Sequence, residues 1–93
     1  MEAGIQKLRA LVETVRCGSI SGAARELDYS QSGVSSMIAD LERERGVTLL
    51  ERGRRGVRLT ADAKLIMRFV EALCEYERRL AERVRELELM ELL

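Results

Sequence analysis

The 93-residue sequence has no proline, no tryptophan and no histidine, and its aromatic side chains are one phenylalanine and two tyrosines. Without histidine the commonest general base and the commonest metal ligand are missing, which argues against a hydrolase or a zinc site. The two cysteines, Cys17 and Cys74, lie far apart, form no Cys-x-x-Cys pair and have no histidine to complete a ligand set. A disulfide between them is disfavoured in a cytoplasmic chain, so they read as buried or half-buried small apolar residues. No apolar run approaches the ~20 residues needed to span a bilayer. The opening Met1-Glu2-Ala3-Gly4 lacks the basic flank and apolar stretch of a signal peptide. The expectation is a cytoplasmic chain with no membrane partner, no metal and no cofactor. Its length suits one small domain with an added element.

Net charge is also missing, since 16 basic residues balance 16 acidic ones, but the distribution is uneven. Residues 1–68 hold 12 basic and 9 acidic residues, a net of +3, and residues 69–93 hold 4 and 7, a net of −3. Within 43–58, Arg43, Arg45, Arg52, Arg54, Arg55 and Arg58 face only Glu44 and Glu51, a net of +4. The bland interpretation is a solvated loop. The sharper one is a segment that meets a polyanion, because arginine grips phosphate bidentately and enters narrow DNA grooves.

Hydrophobic spacing supplies the local structure. Ile5, Leu8, Leu11, Val12 and Val15 recur at helical intervals and predict a helix over about 4–16, stopped by Gly18. Ser19 or Ser21 caps a short second helix carrying Ala23, Ala24 and Leu27. Asp28 and Tyr29 form a turn. Ser30 then caps a third helix that buries Val34, Met37, Ile38 and Leu41 and ends at Gly46. Two helices so close together have helix-turn-helix spacing, and the small Ala23-Ala24 pair permits a close crossing. The period then changes. Val47-Thr48-Leu49-Leu50 and Val57-Arg58-Leu59 flank Gly53-Arg54-Arg55-Gly56, which predicts a two-stranded ribbon over about 48–52 and 56–59 with an arginine tip.

Thr60 caps a last helix, from 61 to about 90, with Asp62 in its first turn. At ~1.5 Å per residue it is too long for so small a domain and must project. Ile66, Leu73, Leu80 and Leu87 form one heptad row and Phe69, Tyr76, Arg83 and Met90 another, with Val70 and Val84 widening the stripe between charged flanks. Leaving such a seam wet would forfeit about 1.5–3 kcal/mol per large side chain. A second copy of the chain is therefore expected on Ile66, Phe69, Leu73, Tyr76, Leu80 and Leu87, giving a homodimer.

These pieces make a mainly α chain: a winged helix-turn-helix of three helices and a two-stranded β-wing over 1–60, then a long dimerisation helix over 61–93. In such a layout the third helix lies in the major groove of double-stranded DNA and presents Gln31, Ser32, Ser35 and Ser36 to base edges. Arg54 and Arg55, with Arg52, would enter the minor groove or grip its phosphates. Ser19, Ser21 and Arg25 are candidates for phosphate positioning at the start of the second helix.

Four segments also resemble those of bacterial LysR-type transcriptional regulators. Gly18-Ser19-Ile20-Ser21-Gly22-Ala23-Ala24-Arg25-Glu26-Leu27 resembles the family's second helix. Ser30-Gln31-Ser32-Gly33-Val34-Ser35 resembles the Ser-Gln-Pro-Ala-Val-Ser opening of its recognition helix. Leu41-Glu42 through Gly46-Val47-Thr48-Leu49-Leu50-Glu51-Arg52 and Val57-Arg58-Leu59-Thr60 follow in the family's order. The resemblance spans about residues 5–88 and implies the winged helix-turn-helix, a linker helix that pairs two subunits, and an effector-binding domain beyond Leu93, absent from this chain. Two departures matter. Ser32-Gly33 stands for the usual Pro-Ala and loosens the helix start, and Ser36 stands where a basic residue is usual.

The functional expectation is sequence-specific DNA binding by a homodimer that regulates transcription. The alternative is a stand-alone dimerisation module that sequesters a full-length relative, favoured by the zero net charge and the neutral recognition face. An enzyme is the weakest reading, because no nucleophile–base pair and no strand-linked phosphate loop is visible.

Overall fold

A computed structural model describes residues 2–93. Helix α1 spans Glu2–Cys17, α2 Ile20–Leu27 and α3 Gln31–Arg45. An antiparallel ribbon of β1, Leu50–Gly53, and β2, Gly56–Leu59, follows, and helix α4 spans Ala61–Glu91. The core forms where α1, α2, α3, the ribbon base and the first turns of α4 meet, with Ala23 and Ala24 buried at the α2 crossing. Leu11, Val34, Ile38 and Leu49 are fully enclosed there, with Leu8, Leu41, Leu50, Ala63, Met67 and Val70 around them. Thr14 is the buried polar residue on α1, and its hydroxyl donates to the Ala10 carbonyl at 2.7 Å, so its burial leaves no polar group unsatisfied.

The caps follow the chemistry of their residues. Of the two serines able to cap α2, Ser19 does so, its Oγ accepting from the Gly22 N–H at 3.0 Å. Asp28 ends α2 with φ of 59°, a left-handed conformation that a short polar side chain tolerates. The Tyr29 N–H then donates to the Ala24 carbonyl at 2.9 Å, and the Tyr29 hydroxyl donates to Gln6 on α1 at 3.1 Å. Ser30 and Thr60 cap α3 and α4 through the N–H groups of Gly33 and Ala63, each at 3.0 Å.

The ribbon is shorter at its start than the sequence suggests, beginning at Leu50 and not at Thr48. Other groups occupy the backbone there. The N–H of Leu49 donates to the Glu42 side chain, the Leu49 carbonyl accepts from Thr60 N–H, and the Thr48 carbonyl accepts from the Thr60 hydroxyl. Gly53 pairs with Gly56, so Arg54 and Arg55 are the two loop residues, and of the two glycines only Gly56 takes a positive φ, 106°. A glycine in that state just after the loop absorbs the twist of the hairpin. Gly56 also lies against the α1–α2 corner, where a Cβ would stand 2.3 Å from the Gly18 carbonyl oxygen, and the Val57 N–H donates to that oxygen at 3.2 Å.

Helix α4 projects only in part. Its buried row is Ala63, Met67 and Val70, with half-buried Cys74 continuing it, and an Arg9–Glu77 ion pair ties it to α1. Val70 therefore packs on its own domain instead of widening the exposed stripe, because it falls on the helix face shared with Met67 and Cys74. From Arg78 onward every residue is exposed. The molecule measures 54 × 26 × 19 Å, the long axis reflecting this rod. Both cysteines are free and half-buried, and burial raises the Cys74 thiol above its ordinary pKa. Among the described residues, no helix is long and apolar enough to cross a membrane.

Candidate nucleic-acid interface

Helix α3 buries Val34, Ile38 and Leu41. At 3.6 residues per turn the opposite face carries Ser32, Ser36, Ala39 and Arg43, all exposed. Gln31 is exposed in the first turn, and Ser35 lies half-buried at the flank. The Ser30 hydroxyl serves the Gly33 N–H and also lies 3.3 Å from the Ser32 hydroxyl, so Ser32 is partly engaged with the cap. Helix geometry leaves the Gln31 and Ser32 N–H groups outside the intrahelical ladder, available to an anion.

Sequence reasoning placed Arg43 in the basic cluster but missed Ala39 and Asp40 beside it on this face of α3. Arg43 donates to the Asp40 carboxylate at 2.5 Å, and Lys7 on α1 pairs with Glu44 at 2.6 Å and approaches Asp40 at 4.0 Å. The C-terminal half of the α3 face therefore carries balanced charge. The signal was available: counting threes and fours away from the apolar stripe reaches these positions.

The arginine cluster divides between two elements. Arg43 and Arg45 stay on α3, while Arg52, Arg54, Arg55 and Arg58 belong to the wing. Arg58 faces Glu51 across the ribbon at 3.8 Å. Arg52 is paired in register with Val57, on the side of the ribbon that also carries Leu50 and Leu59, yet it is exposed. Arg54 and Arg55 form the exposed tip, and among the described residues neither makes an ion pair. On α2, Ser19 acts as the cap, Ser21 is half-buried, and Arg25 lies one turn beyond Ser21. Arg25 is thus in the last turn of α2, not at its start as the sequence suggests, because the helix is only eight residues long. The Val57–Gly18 hydrogen bond seats the wing beside the residue that precedes the Ser19 cap.

This geometry has clear relatives. Residues 5–64 match the model of the bacterial regulatory helix-turn-helix proteins of the lysR family. The chain belongs to that family. The LysR-family chain is 42% identical over 71 residues to a probable HTH-type transcriptional regulator, LrrA, of Synechococcus elongatus, a match covering 76% of this chain and 24% of LrrA. It thus spans about a quarter of the length of that curated relative. Its fold superposes on the crystal structure of the CbnR DBD–DNA complex with a TM-score of 0.79 at 28% identity, covering 90% of this chain and 97% of that one. The BenM DBD complexed with benA site 1 DNA gives the same TM-score and identity, covering 90% and 94%. The LysR-family chain has the winged helix-turn-helix of these DNA-binding domains, with the long fourth helix attached.

Proposed function

We propose that this chain regulates transcription in the cytoplasm by binding double-stranded DNA sequence-specifically as a homodimer. Residues 1–60 read the DNA and residues 61–93 pair two copies. Gln31, Ser32, Ser35 and Ser36 face base edges in the major groove, with glutamine suited to a bidentate contact with adenine. Arg52, Arg54 and Arg55 grip the minor groove or its phosphates, and Ser19, Ser21 and Arg25 position the backbone. The observation that carries this reading is the exposed arginine tip, with no ion pair among the described residues, hydrogen-bonded through its hairpin to the body that presents α3. The solved relatives held with DNA support it.

Pairing rests on the exposed stripe Ile66, Phe69, Leu73, Tyr76, Leu80, Val84 and Leu87. Its members fall on one side of α4. Ile66 and Leu87, Phe69 and Val84, and Leu73 and Leu80 are equally spaced about the point between Tyr76 and Glu77. Six of the seven members thus read the same in both directions, with Tyr76 opposite Glu77, and they match themselves when two copies pack antiparallel about a two-fold axis. The stripe continues into a groove of about 290 Å³ lined in part by Leu8, Leu41, Leu49, Ile66, Phe69 and Leu73. The C-terminal end of a partner's α4 would cover that groove. Two α3 helices would then address two half-sites of a near-palindrome.

A selection of bound oligonucleotides from a random pool tests the reading. The expected result is an enriched site with two-fold symmetry whose affinity falls steeply with salt. Dissociation constants confined to about 10⁻⁴–10⁻⁶ M with no enriched sequence would remove specific regulation. The second reading, sequestration of a longer relative, is favoured by the Asp40–Arg43 pair, which cancels positive charge on the outward face of α3. Its signature is a chain that shifts no DNA alone yet prevents a full-length relative from doing so.

A further inference from the structure

Glu42 lies near the end of α3, half-buried, and is bonded on both its backbone and its side chain. Its carbonyl accepts from the N–H groups of Gly46 and Val47 at 2.8 and 3.2 Å. Its carboxylate Oε2 accepts from the N–H groups of Leu49 and Leu50 at 2.7 and 3.3 Å. The first pair closes the helix. The second reaches past the turn to the residue that begins β1. A single side chain of the recognition helix therefore holds the root of the wing, and an ionised acceptor makes each of those bonds stronger than a neutral one.

Around that point the hairpin root is also held by the buried Leu49 and Leu50 side chains and by the Thr60 hydroxyl, which donates to the Thr48 carbonyl. Leu49 is fixed on both sides, its N–H by Glu42 and its carbonyl by Thr60. At the other strand, the Val57 N–H is held by Gly18. Beyond these points lie Gly53, Arg54 and Arg55, all exposed. The direction in which the tip points is thus set at its root.

We propose that Glu42 is a positioning residue for DNA binding: its carboxylate fixes the wing relative to the recognition helix, so that the tip arginines and the base-reading side chains engage one duplex together. Glu42 itself touches no DNA. The proposal rests on the reading that Arg54 and Arg55 contact DNA, and its test separates the two.

The full chain and its E42Q and E42A variants are compared, alone and combined with R54A/R55A, on the duplex recovered from the random-pool selection. E42Q is expected to weaken binding about threefold to tenfold, and E42A more, because a neutral acceptor or none replaces a charged one. In the R54A/R55A background E42Q should change affinity by less than about twofold, since residues that act as a unit are not additive. Amide hydrogen exchange at Leu49 and Leu50 should accelerate in E42Q, while its urea unfolding midpoint stays near that of the parent chain. An equal loss from E42Q in both backgrounds, or an undiminished affinity in E42Q and E42A, overturns the proposal. If R54A/R55A binds as tightly as the parent, the wing's role in DNA binding has failed. The tether is then decided by exchange, and unchanged rates at Leu49 and Leu50 overturn it as well.

Discussion

Gly56 offers a sharp test of how the wing is seated. A Cβ at this position would lie 2.3 Å from the Gly18 carbonyl oxygen, a backbone atom that cannot swing aside. The residue also has φ of 106°, where an L side chain is strained. Holding a non-glycine residue in such a conformation costs about 1–3 kcal/mol. Escaping the clash requires the ribbon to move off the α1–α2 corner, which breaks the Val57–Gly18 hydrogen bond at a cost of about 0.5–1.5 kcal/mol. G56A should therefore lose about 2–4 kcal/mol, a large share of the ~5–15 kcal/mol available to a typical domain. Gly53 is the control on the same hairpin, since a Cβ there meets nothing within 4 Å and its φ is not positive. G53A should fall within about 0.5 kcal/mol of the parent. Urea denaturation at one fixed protein concentration reads both, so that any pairing of copies contributes equally to the two measurements. Equal stability of G56A and G53A would refute the idea that close backbone contact at Gly18 seats the wing.

Other outcomes are equally specific. R54A/R55A should weaken binding to all sequences alike and flatten the salt dependence, whereas Q31A should relax discrimination at one base pair by about 1–3 kcal/mol; competition assays over single-base variants distinguish the two. L73E introduces a charge into the middle of the α4 stripe on both copies, and with about 1.5–3 kcal/mol of burial lost per side chain the dimer dissociation constant should rise at least about 100-fold, visible by sedimentation equilibrium. The Glu75 carboxyl is held down to about 2 from its ordinary 4.5, chiefly by its hydrogen bond from Arg78, with Arg79 and the two guanidinium charges adding to it. Because the value is depressed in the folded chain, this contribution is complete above about pH 4.5 and is lost as pH falls toward 2. A loss of α4 helicity over that window, measured by circular dichroism and diminished in E75Q, is the expected result.

Much of the fold was legible because each helix carries its own punctuation. Ser19, Ser30 and Thr60 cap, Gly18 and Gly46 stop, and the apolar residues of α1 and α3 repeat at helical intervals. What stayed hidden depended on partners distant in sequence. Thr48 and Leu49 have strand composition, yet Thr60 and Glu42 take their backbone groups, and no local pattern announces that. Val70 fits an exposed stripe on spacing alone, and only the position of the core shows that it faces inward. The elements of the candidate interface were legible in outline, as a polar opening of α3 and an arginine tip on the hairpin. Asp40 carries neither the apolar nor the basic signal, although the same periodicity that finds the buried face of α3 locates it beside Arg43 on the other. Arg25 moved to the end of its helix because α2 is shorter than its signature.

The mirror spacing of the α4 stripe bears on which operators two paired copies could use. A slip of one heptad between antiparallel rods would displace one copy along the other by about 10 Å. Stacked bases are about 3.4 Å apart, so the second recognition helix would arrive roughly three base pairs away from its half-site. The unslipped alignment matches six of the seven large side chains of the stripe, all but Tyr76, against five and three for the two one-heptad slips. Protein packing would then act as a ruler, and insertions between half-sites should be tolerated far less well than substitutions in the same stretch.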